Sequence, residues 1–316
     1  MNYRVELISP KDKERLVSRI YTSDLYERKA AIHGTCVKFF TDSHEFKDMW
    51  EDNFEPMPDS IRPHARLFAV KAKKLRVRYE PLSKTAIVEG CTYYGAIKSI
   101  ALALVADFLE DFTSEHRRYS VHGSFVDIGG GRGGLAIIGP SGSGKTTLTY
   151  GLLLDRHFSF LTDDWFFVRL MDGSTPVYSS EKNSYIRCDL ANMWPDYRNK
   201  LKGIREDADK RAVVDVRRLV GGDRIRADSS LALTVLLTRK KGLPILSRLT
   251  AKDALAFMLK NDFCNPHQLV RKKEKMQKRK SFFLELFSRA PVYLLNTIES
   301  PEQSLERIKK LIENGG

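Results

Sequence analysis

The sequence predicts an α/β fold with helices packed against a sheet, and two observations lead to this prediction. From residue 119 onward, short apolar segments typical of strands alternate with segments typical of helices. Within this region an apolar strand at residues 135–138, a glycine-rich loop and an apolar helix follow one another directly. Strands that exchange with helices along a chain form a sheet covered by helices.

The composition indicates a globular chain, since 42% of the 316 residues are hydrophobic and 29% are charged. No apolar run reaches the roughly 18 residues of a membrane span, and the first twenty residues are charged throughout. We therefore expect no membrane segment and a cytoplasmic location. The four cysteines are far apart, which argues against a zinc ribbon and against a disulfide scaffold.

The net charge of +13 favours polyanionic partners such as nucleotides, phosphorylated substrates or nucleic acid. Residues 271–280, RKKEKMQKRK, hold seven basic residues and one acid. A solvated helix face and a contact with nucleic-acid phosphates both fit this run, and the second makes nucleic acid a candidate partner. No aromatic residue is interleaved there, which argues against base stacking.

The first part of the chain, residues 1–115, is predicted to be a mixed α+β N-terminal region. Residues 67–82 alternate apolar and basic side chains, as in strands with one solvated face. Residues 44–65 predict an amphipathic helical turn that ends in a proline-rich loop. Residues 93–116 predict a largely apolar helix.

The second part, residues 116–316, contains the predicted α/β core. Its strands are expected at residues 119–128, 134–139, 158–170, 175–190, 230–240 and 291–297. A last helix is expected to begin after Ser300 as its N-cap, with Pro301 at the first position.

Residues 139–146, GPSGSGKT, match the phosphate-binding loop G-x-x-x-x-G-K-[ST] at every fixed position. The glycines let several backbone N–H groups face one anion, and the helix that follows adds its positive end. In such loops the lysine reaches the β- and γ-phosphates and the hydroxyl residue ligates magnesium. The predicted nucleotide-binding residues are Gly139, Pro140, Ser141, Gly142, Ser143, Gly144, Lys145, Thr146 and Thr147.

Two adjacent carboxylates, Asp163 and Asp164, begin 18 residues after Lys145, at the predicted end of the next strand. A strand-terminal aspartate near the loop completes the magnesium site of P-loop proteins. The second carboxylate is then available as a general base for an incoming hydroxyl, or it serves as a helix cap or turn residue. The sequence lacks the Leu-Ser-Gly-Gly-Gln signature of transporter ATPases and the Asn-Lys-x-Asp motif of GTPases.

A His-Gly-x-x-Val-Asp segment, His122 to Asp127, precedes the loop, and Thr162-Asp163-Asp164 follows its helix. With these motifs, residues 119–168 resemble the HPr kinase/phosphorylase family and the wider group with the phosphoenolpyruvate carboxykinase fold. The resemblance implies a P-loop core of that type and an ATP-dependent, magnesium-requiring kinase.

By position, the resemblance places His122 near the transferred phosphate and makes one aspartate the base. It assigns magnesium to Thr146, Asp164 and a later glutamate, for which Glu181 is the candidate. Arg187 is the candidate for neutralising the transferred phosphoryl group. The resemblance also implies a homo-oligomer.

The acceptor stays open between a metabolite, a protein serine and RNA, and the donor between ATP, ADP and pyrophosphate. The segment SYIRCDLANMW stands where the family has Arg-Gly-Leu-Gly-Ile. The alternative functions are a nucleic-acid-binding ATPase or regulator, a carboxykinase-like enzyme, and a nucleotide sensor without catalysis.

Three further segments are secondary candidates. Residues 221–228 are either a loop that closes over phosphates or a plain turn. Residues 262–268 either line a site or cap a loop. Residues 294–297 end a predicted strand, where polar groups often face a ligand in α/β sheets.

Overall fold

The structure is a computed structural model that describes residues 3–111 and 117–315. The chain is a mixed α/β protein, as predicted, and its residues fall into two compact units. The first unit contains Met1–Glu115, Glu181–Tyr185 and His267–Lys272, and the second contains the other residues. The sequence did not predict the two short later segments of the first unit. The predicted domain boundary between residues 115 and 116 lies outside the described residues.

The first unit is built on a seven-stranded mixed sheet in the order β1-β6-β7-β5-β3-β2-β4. Its strands are β1 (Val5–Leu7), β2 (Tyr26–Ile32), β3 (Thr35–Thr41), β4 (Glu55–Pro56), β5 (Ala65–Val70), β6 (Arg76–Glu80) and β7 (Thr85–Glu89), and its helices are α1 (Pro10–Ile20), α2 (His44–Asn53) and α3 (Tyr94–Asp111). The last five residues of the predicted helix 93–116 lie outside the described residues. Within the described ranges, no helix has the length and apolarity that crossing a bilayer requires.

After residue 117 the chain forms ten strands and seven α-helices in the part that the structure describes. The strands are β8 (Arg118–Asp127), β9 (Gly134–Ile138), β10 (Ser159–Thr162), β11 (Trp165–Arg169), β12 (Pro176–Ser179), β13 (Ser184–Arg187), β14 (Arg211–Val214), β15 (Asp228–Thr238), β16 (Leu246–Leu249) and β17 (Val292–Asn296). The helices are α4 (Lys145–Leu152), α5 (Leu190–Met193), α6 (Arg198–Leu201), α7 (Val216–Val220), α8 (Ala251–Lys260), α9 (Lys273–Ser288) and α10 (Pro301–Glu313).

The second unit contains an eight-stranded sheet in the order β10-β8-β11-β12-β15-β17-β16, with β9 paired to both β15 and β8. Strands β9, β15 and β17 run parallel, so their carboxyl ends lie at one edge of the sheet. Strand β8 pairs with β11 over its first half and with both β10 and β9 over its second half. The pairing with β9 begins at Gly123, opposite Ile138, which places His122 beside the end of β9.

Helices cover this sheet on both faces, and successive residues of β9 belong to opposite cores. Leu135 and Ile137 pack in the core with α4 and α10, whereas Ala136 and Ile138 pack in the core with α8 and α9. This alternation follows from the two-residue period of a strand. A glycine-rich turn at residues 129–133, with four glycines at positive φ, joins β8 to β9.

Residues 158–170, predicted as one strand, form two strands with Asp163 and Asp164 between them. Strand β10 pairs with the second half of β8, and β11 pairs with the first half. Both strands pair antiparallel with β8 in one register from Thr162 to Arg169, and Asp163 and Asp164 lie in the gap between them. The strand predicted over residues 158–170 is thus interrupted, and the predicted end of a strand at Thr162-Asp163-Asp164 is confirmed.

Candidate phosphate-binding site

The loop 139–146 follows β9 directly and leads into α4 at Lys145. At its base, a Cβ added to Gly139 would lie 2.6 Å from Ser143 Oγ and 3.0 Å from the Leu237 carbonyl oxygen, so only glycine fits there. At its end, Gly144 is the N-cap of α4, with φ of +101° and no side-chain cap. The first N–H groups of α4 are therefore not satisfied by a capping side chain, as an anion site at a helix terminus requires.

The ammonium group of Lys145 lies over this loop. Its Nζ donates to the carbonyl oxygens of Gly139, at 2.7 Å, and Pro140, at 3.2 Å. Burial lowers the pKa of Lys145, and the nearby carboxylates of Asp164 and Asp163 partly oppose this shift. A phosphate group at the helix terminus would stabilise the charged form of this lysine in the same way.

His122 and Asp164 form a hydrogen-bonded pair next to the loop. Trp165 lies opposite His122 in the β8–β11 ladder, and the Gly123 N–H donates to the Asp164 carbonyl at 2.8 Å. This backbone arrangement brings His122 Nε2 to 3.1 Å from Asp164 Oδ1. The sheet thus joins two residues that the sequence places 42 positions apart.

The other ring nitrogen of His122, Nδ1, donates to the carbonyl oxygen of Cys264. A carbonyl only accepts, so Nδ1 carries a proton. The contact of Nε2 with Asp164 Oδ1 fixes the ring and the carboxylate relative to each other.

The Cys264 carbonyl is directed by an unusual turn. Asp262, Phe263 and Cys264 have φ values of +51°, +54° and +54°, a left-handed conformation that costs L-residues about 1–2 kcal/mol each. Phe263 offsets part of this cost because its ring is buried and stacks on Phe283 with centroids 5.4 Å apart. Burial also raises the pKa of the Cys264 thiol to about 12, so it is a protonated, buried side chain at neutral pH.

The 262–268 segment therefore contacts a predicted site residue through its backbone. His267 lies in the first unit, where its Nδ1 is 2.8 Å from the Tyr3 hydroxyl.

The polar residues at the end of β17 hold neighbouring loops. Thr297 Oγ1 lies 2.9 Å from the Ser143 carbonyl oxygen and 3.1 Å from that of Thr238, and it donates to one or the other. Asn296 accepts from the Lys240 N–H at 3.0 Å and donates to the Lys240 carbonyl at 2.7 Å. Thus the polar side chains of residues 294–297, predicted to face a ligand, bind the protein's own backbone around the loop.

Sequence reasoning missed Arg239. This residue comes directly after β15, just as Gly139 comes directly after β9. Its Nε donates to the Thr297 carbonyl oxygen at 3.0 Å. A Cβ added to Gly144 would lie 4.0 Å from a terminal nitrogen of Arg239. The available signal was a basic residue immediately after a long buried strand, since the ends of parallel strands meet at one edge.

Two candidates from the resemblance have other partners in the structure. Glu181 lies in the first unit, where its buried carboxylate is 3.0 Å from Lys98 Nζ and accepts from Asn53 Nδ2 at 3.0 Å. Arg187 is exposed, and its guanidinium pairs with Asp189 at 2.8 Å. Their roles as a magnesium ligand and as a phosphoryl-neutralising group stay predictions.

The remaining basic segments differ in their exposure. The run 271–280 enters α9, whose Arg279 is buried, so the run is not one continuous solvated face. Its contact with nucleic acid stays a prediction.

In residues 221–228, Arg224 donates to the carbonyl oxygens of Phe158, Leu153 and Asp155 and thereby holds the chain after α4. The guanidinium of Arg224 therefore stabilises the fold and does not contact the phosphate-binding loop 139–146.

Similarity to known proteins is found among solved structures. No family model matches the sequence, and no curated protein matches it. Among solved structures, the Hpr(Ser) kinase/phosphatase from Coxiella burnetii is similar at 17% identity and a TM-score of 0.34. That match covers 62% of this chain and 99% of the other. A TM-score this low does not establish a shared fold.

Proposed function

We propose that this protein is an ATP-dependent, magnesium-requiring kinase of the HPr-kinase-like group, with a P-loop core of the phosphoenolpyruvate carboxykinase/HPr kinase type. It transfers the γ-phosphate to a hydroxyl-bearing acceptor. The observation that supports this most is the position of the His122–Asp164 pair beside the loop 139–146. A phosphate-binding loop alone fits any nucleotide-binding protein, whereas a histidine–carboxylate pair next to it adds a group that takes up a proton.

Asp164 is the better placed of the two aspartates to meet the acceptor. The side chain of Asp164 is 29% exposed to solvent, whereas Asp163 is only 6% exposed. When ionised, Asp164 takes the hydroxyl proton as the acceptor oxygen bonds to the γ-phosphorus and the bond to the ADP oxygen breaks. His122 keeps the carboxylate oriented through Nε2, and the Cys264 carbonyl fixes the ring.

The loop supplies the electrostatic part of the reaction. The N–H groups at the start of α4 and the Lys145 ammonium bind phosphate oxygens and stabilise the negative charge of the transferred group. To bind, Lys145 exchanges its two carbonyl acceptors for phosphate oxygens.

The residues present fit a magnesium ion that is held partly by substrate. Thr146, partly exposed in the first turn of α4, and an aspartate of the 163–164 pair would hold the ion, which supplies positive charge to the phosphate oxygens. Over residues 3–111 and 117–315, no three His, Cys, Asp or Glu side chains group closely enough to hold a metal ion by themselves. A site completed by phosphate oxygens and water needs no such group.

The test combines a screen with substitutions. Transfer of a labelled γ-phosphate is screened across hydroxylated metabolites, proteins and RNA, and the best acceptor is then used with Lys145→Ala and Asp164→Asn. We expect Lys145→Ala to lose both ATP binding and transfer, and Asp164→Asn to keep binding but to lose transfer by about 10²–10⁴-fold. Lys252→Ala, which removes an exposed lysine of α8, is the matched control.

Lys145→Ala with normal binding and transfer would refute the proposed function. Asp164→Asn with turnover within a few-fold of the parent would refute its role as the base.

A further inference from the structure

We propose that Arg239 is a second phosphate-binding cation of this site, oriented by Thr297 toward an anion at the start of α4. This inference rests on the proposed function and adds to it a residue that neither the loop motif nor the resemblance identifies.

The register of the sheet places Arg239 at the loop. Strands β9 and β15 are parallel, and Ile138 is paired with Leu236. The residues that follow the two strands therefore emerge at the same edge. Consistent with this, a Cβ added to Gly144 would be 4.0 Å from a terminal nitrogen of Arg239.

Hydrogen bonds fix Arg239 through both of its neighbours in the chain and through its own side chain. The Thr297 N–H donates to the Thr238 carbonyl at 2.8 Å, and the Lys240 N–H donates to Asn296 Oδ1 at 3.0 Å. The guanidinium Nε donates to the Thr297 carbonyl at 3.0 Å. An arginine fixed in this way loses little further conformational freedom when it binds a ligand.

Thr297 links this arginine to the phosphate loop itself. Its carbonyl oxygen binds the Arg239 guanidinium, and its hydroxyl lies 2.9 Å from the Ser143 carbonyl oxygen within the loop. One residue thus sets the position of both the loop and the guanidinium.

The two terminal nitrogens of Arg239 have no acceptor in the part of the chain that the structure describes, and the side chain is exposed. The Arg239 guanidinium lies close to the N-terminus of α4, whose positive end also favours an anion. A guanidinium binds two oxygens of a phosphate group at once.

Other arginines near the predicted motifs are already engaged. The guanidinium of Arg224 donates to backbone carbonyls, and that of Arg187 pairs with Asp189. Arg239 combines proximity to the loop with available donors.

The experiment measures binding of MgATP and of inorganic tripolyphosphate by isothermal titration calorimetry at fixed ionic strength. The variants are Arg239→Gln, Arg239→Lys and Lys145→Ala. Lys241→Gln is the matched control, because it removes the same charge from an exposed position two residues away. Thermal unfolding without ligand is measured for each.

We expect Arg239→Gln to weaken both ligands by about tenfold or more, as for a lost charge-assisted hydrogen bond, without a change in unfolding temperature. Arg239→Lys should restore only part of the affinity, since lysine lacks the Nε donor to Thr297 and the planar fork. Lys241→Gln should stay within about twofold, because an exposed charge at a distance is screened by salt.

The inference is overturned if Lys145→Ala abolishes binding while Arg239→Gln binds like the parent, a result that leaves the proposed function intact. It is also overturned if Arg239→Gln weakens MgATP but not tripolyphosphate, because Arg239 would then contact the nucleoside. If the parent binds neither ligand, both the inference and the proposed function fail.

Discussion

Replacing threonine by valine should lower the stability of the protein at Thr297 and raise it at Thr234. Thr297 follows β17 and lies within hydrogen-bond distance of the Ser143 and Thr238 carbonyls. Thr234 lies in β15, fully buried, and none of the described residues bonds to its hydroxyl. Valine has the shape of threonine without its hydroxyl, so each change removes one polar group and little else.

The magnitudes follow from the hydrogen bonds. At Thr297 the loss leaves a buried carbonyl without its side-chain donor, which costs about 1–3 kcal/mol. At Thr234 the loss removes a buried hydroxyl that has no partner, which stabilises the fold by about 1 kcal/mol. For a unit of this size, each kcal/mol shifts the melting temperature by about 2–4 °C.

The assay is thermal and urea unfolding followed by circular dichroism, with the parent and both variants in one buffer. We expect Thr297→Val to melt below the parent and Thr234→Val at or above it. Two variants destabilised to the same extent would refute the reasoning, because the hydrogen bonds would then not decide the sign. MgATP affinity gives a second readout: it should fall for Thr297→Val, which loosens the loop, and stay unchanged for Thr234→Val.

Three further predictions concern helix packing, pH and thiol reactivity. Gly151→Ala places a Cβ 2.6 Å from the Trp194 ring and should destabilise the protein by about 1–3 kcal/mol in urea unfolding. Partial burial raises the pKa of Asp155. Hydrogen bonds from the His157 backbone N–H and from Lys309 outweigh this effect and lower the pKa overall. Asp155→Asn should therefore cost about 1 kcal/mol at pH 7, and this difference should shrink below about pH 4, where the carboxylate takes up a proton in the unfolded parent but not yet in the folded one. Cys264, 3% exposed and with its thiol pKa raised to about 12, should resist alkylation at pH 8 until the protein unfolds, as read by mass spectrometry.

Each of these predictions has a control or an opposing outcome. Gly222→Ala, at a position with no atom within 4 Å of the added Cβ, should change stability by less than about 0.5 kcal/mol. A constant effect of Asp155→Asn from pH 7 to pH 3 would show that its charge is not involved. Alkylation of native Cys264 at the rate seen in denaturant would contradict its burial.

Local signals in the sequence predicted the elements that depend on local chemistry. Ser300 caps α10 in a capping box with Gln303, and Pro301 occupies the first helical position, as expected. The strand–loop–helix around residues 139–146 also forms as predicted, because its glycines and its apolar strand act within a few residues.

The features that the sequence did not predict depend on register between distant segments. The contact between His122 and Asp164 depends on the pairing of β10 and β11 with β8, and no residue near the aspartates signals that pairing. Arg239 reaches the loop through the pairing of β15 with β9. The left-handed turn at Asp262–Cys264 contains no glycine, so backbone preference argued against it, and packing of Phe263 decided it.

The alternation of β9 between two cores has a consequence for protein engineering. Deleting one residue from β9 would move the following side chains to the opposite face and shift the loop by about 3.3 Å. The turn that precedes β9 tolerates changes in length far better, because Gly131 is exposed and a Cβ added there meets no atom within 4 Å. A peptide tag or a fluorescent reporter inserted after Gly131 should therefore leave the register of β9, and with it the phosphate loop, unchanged.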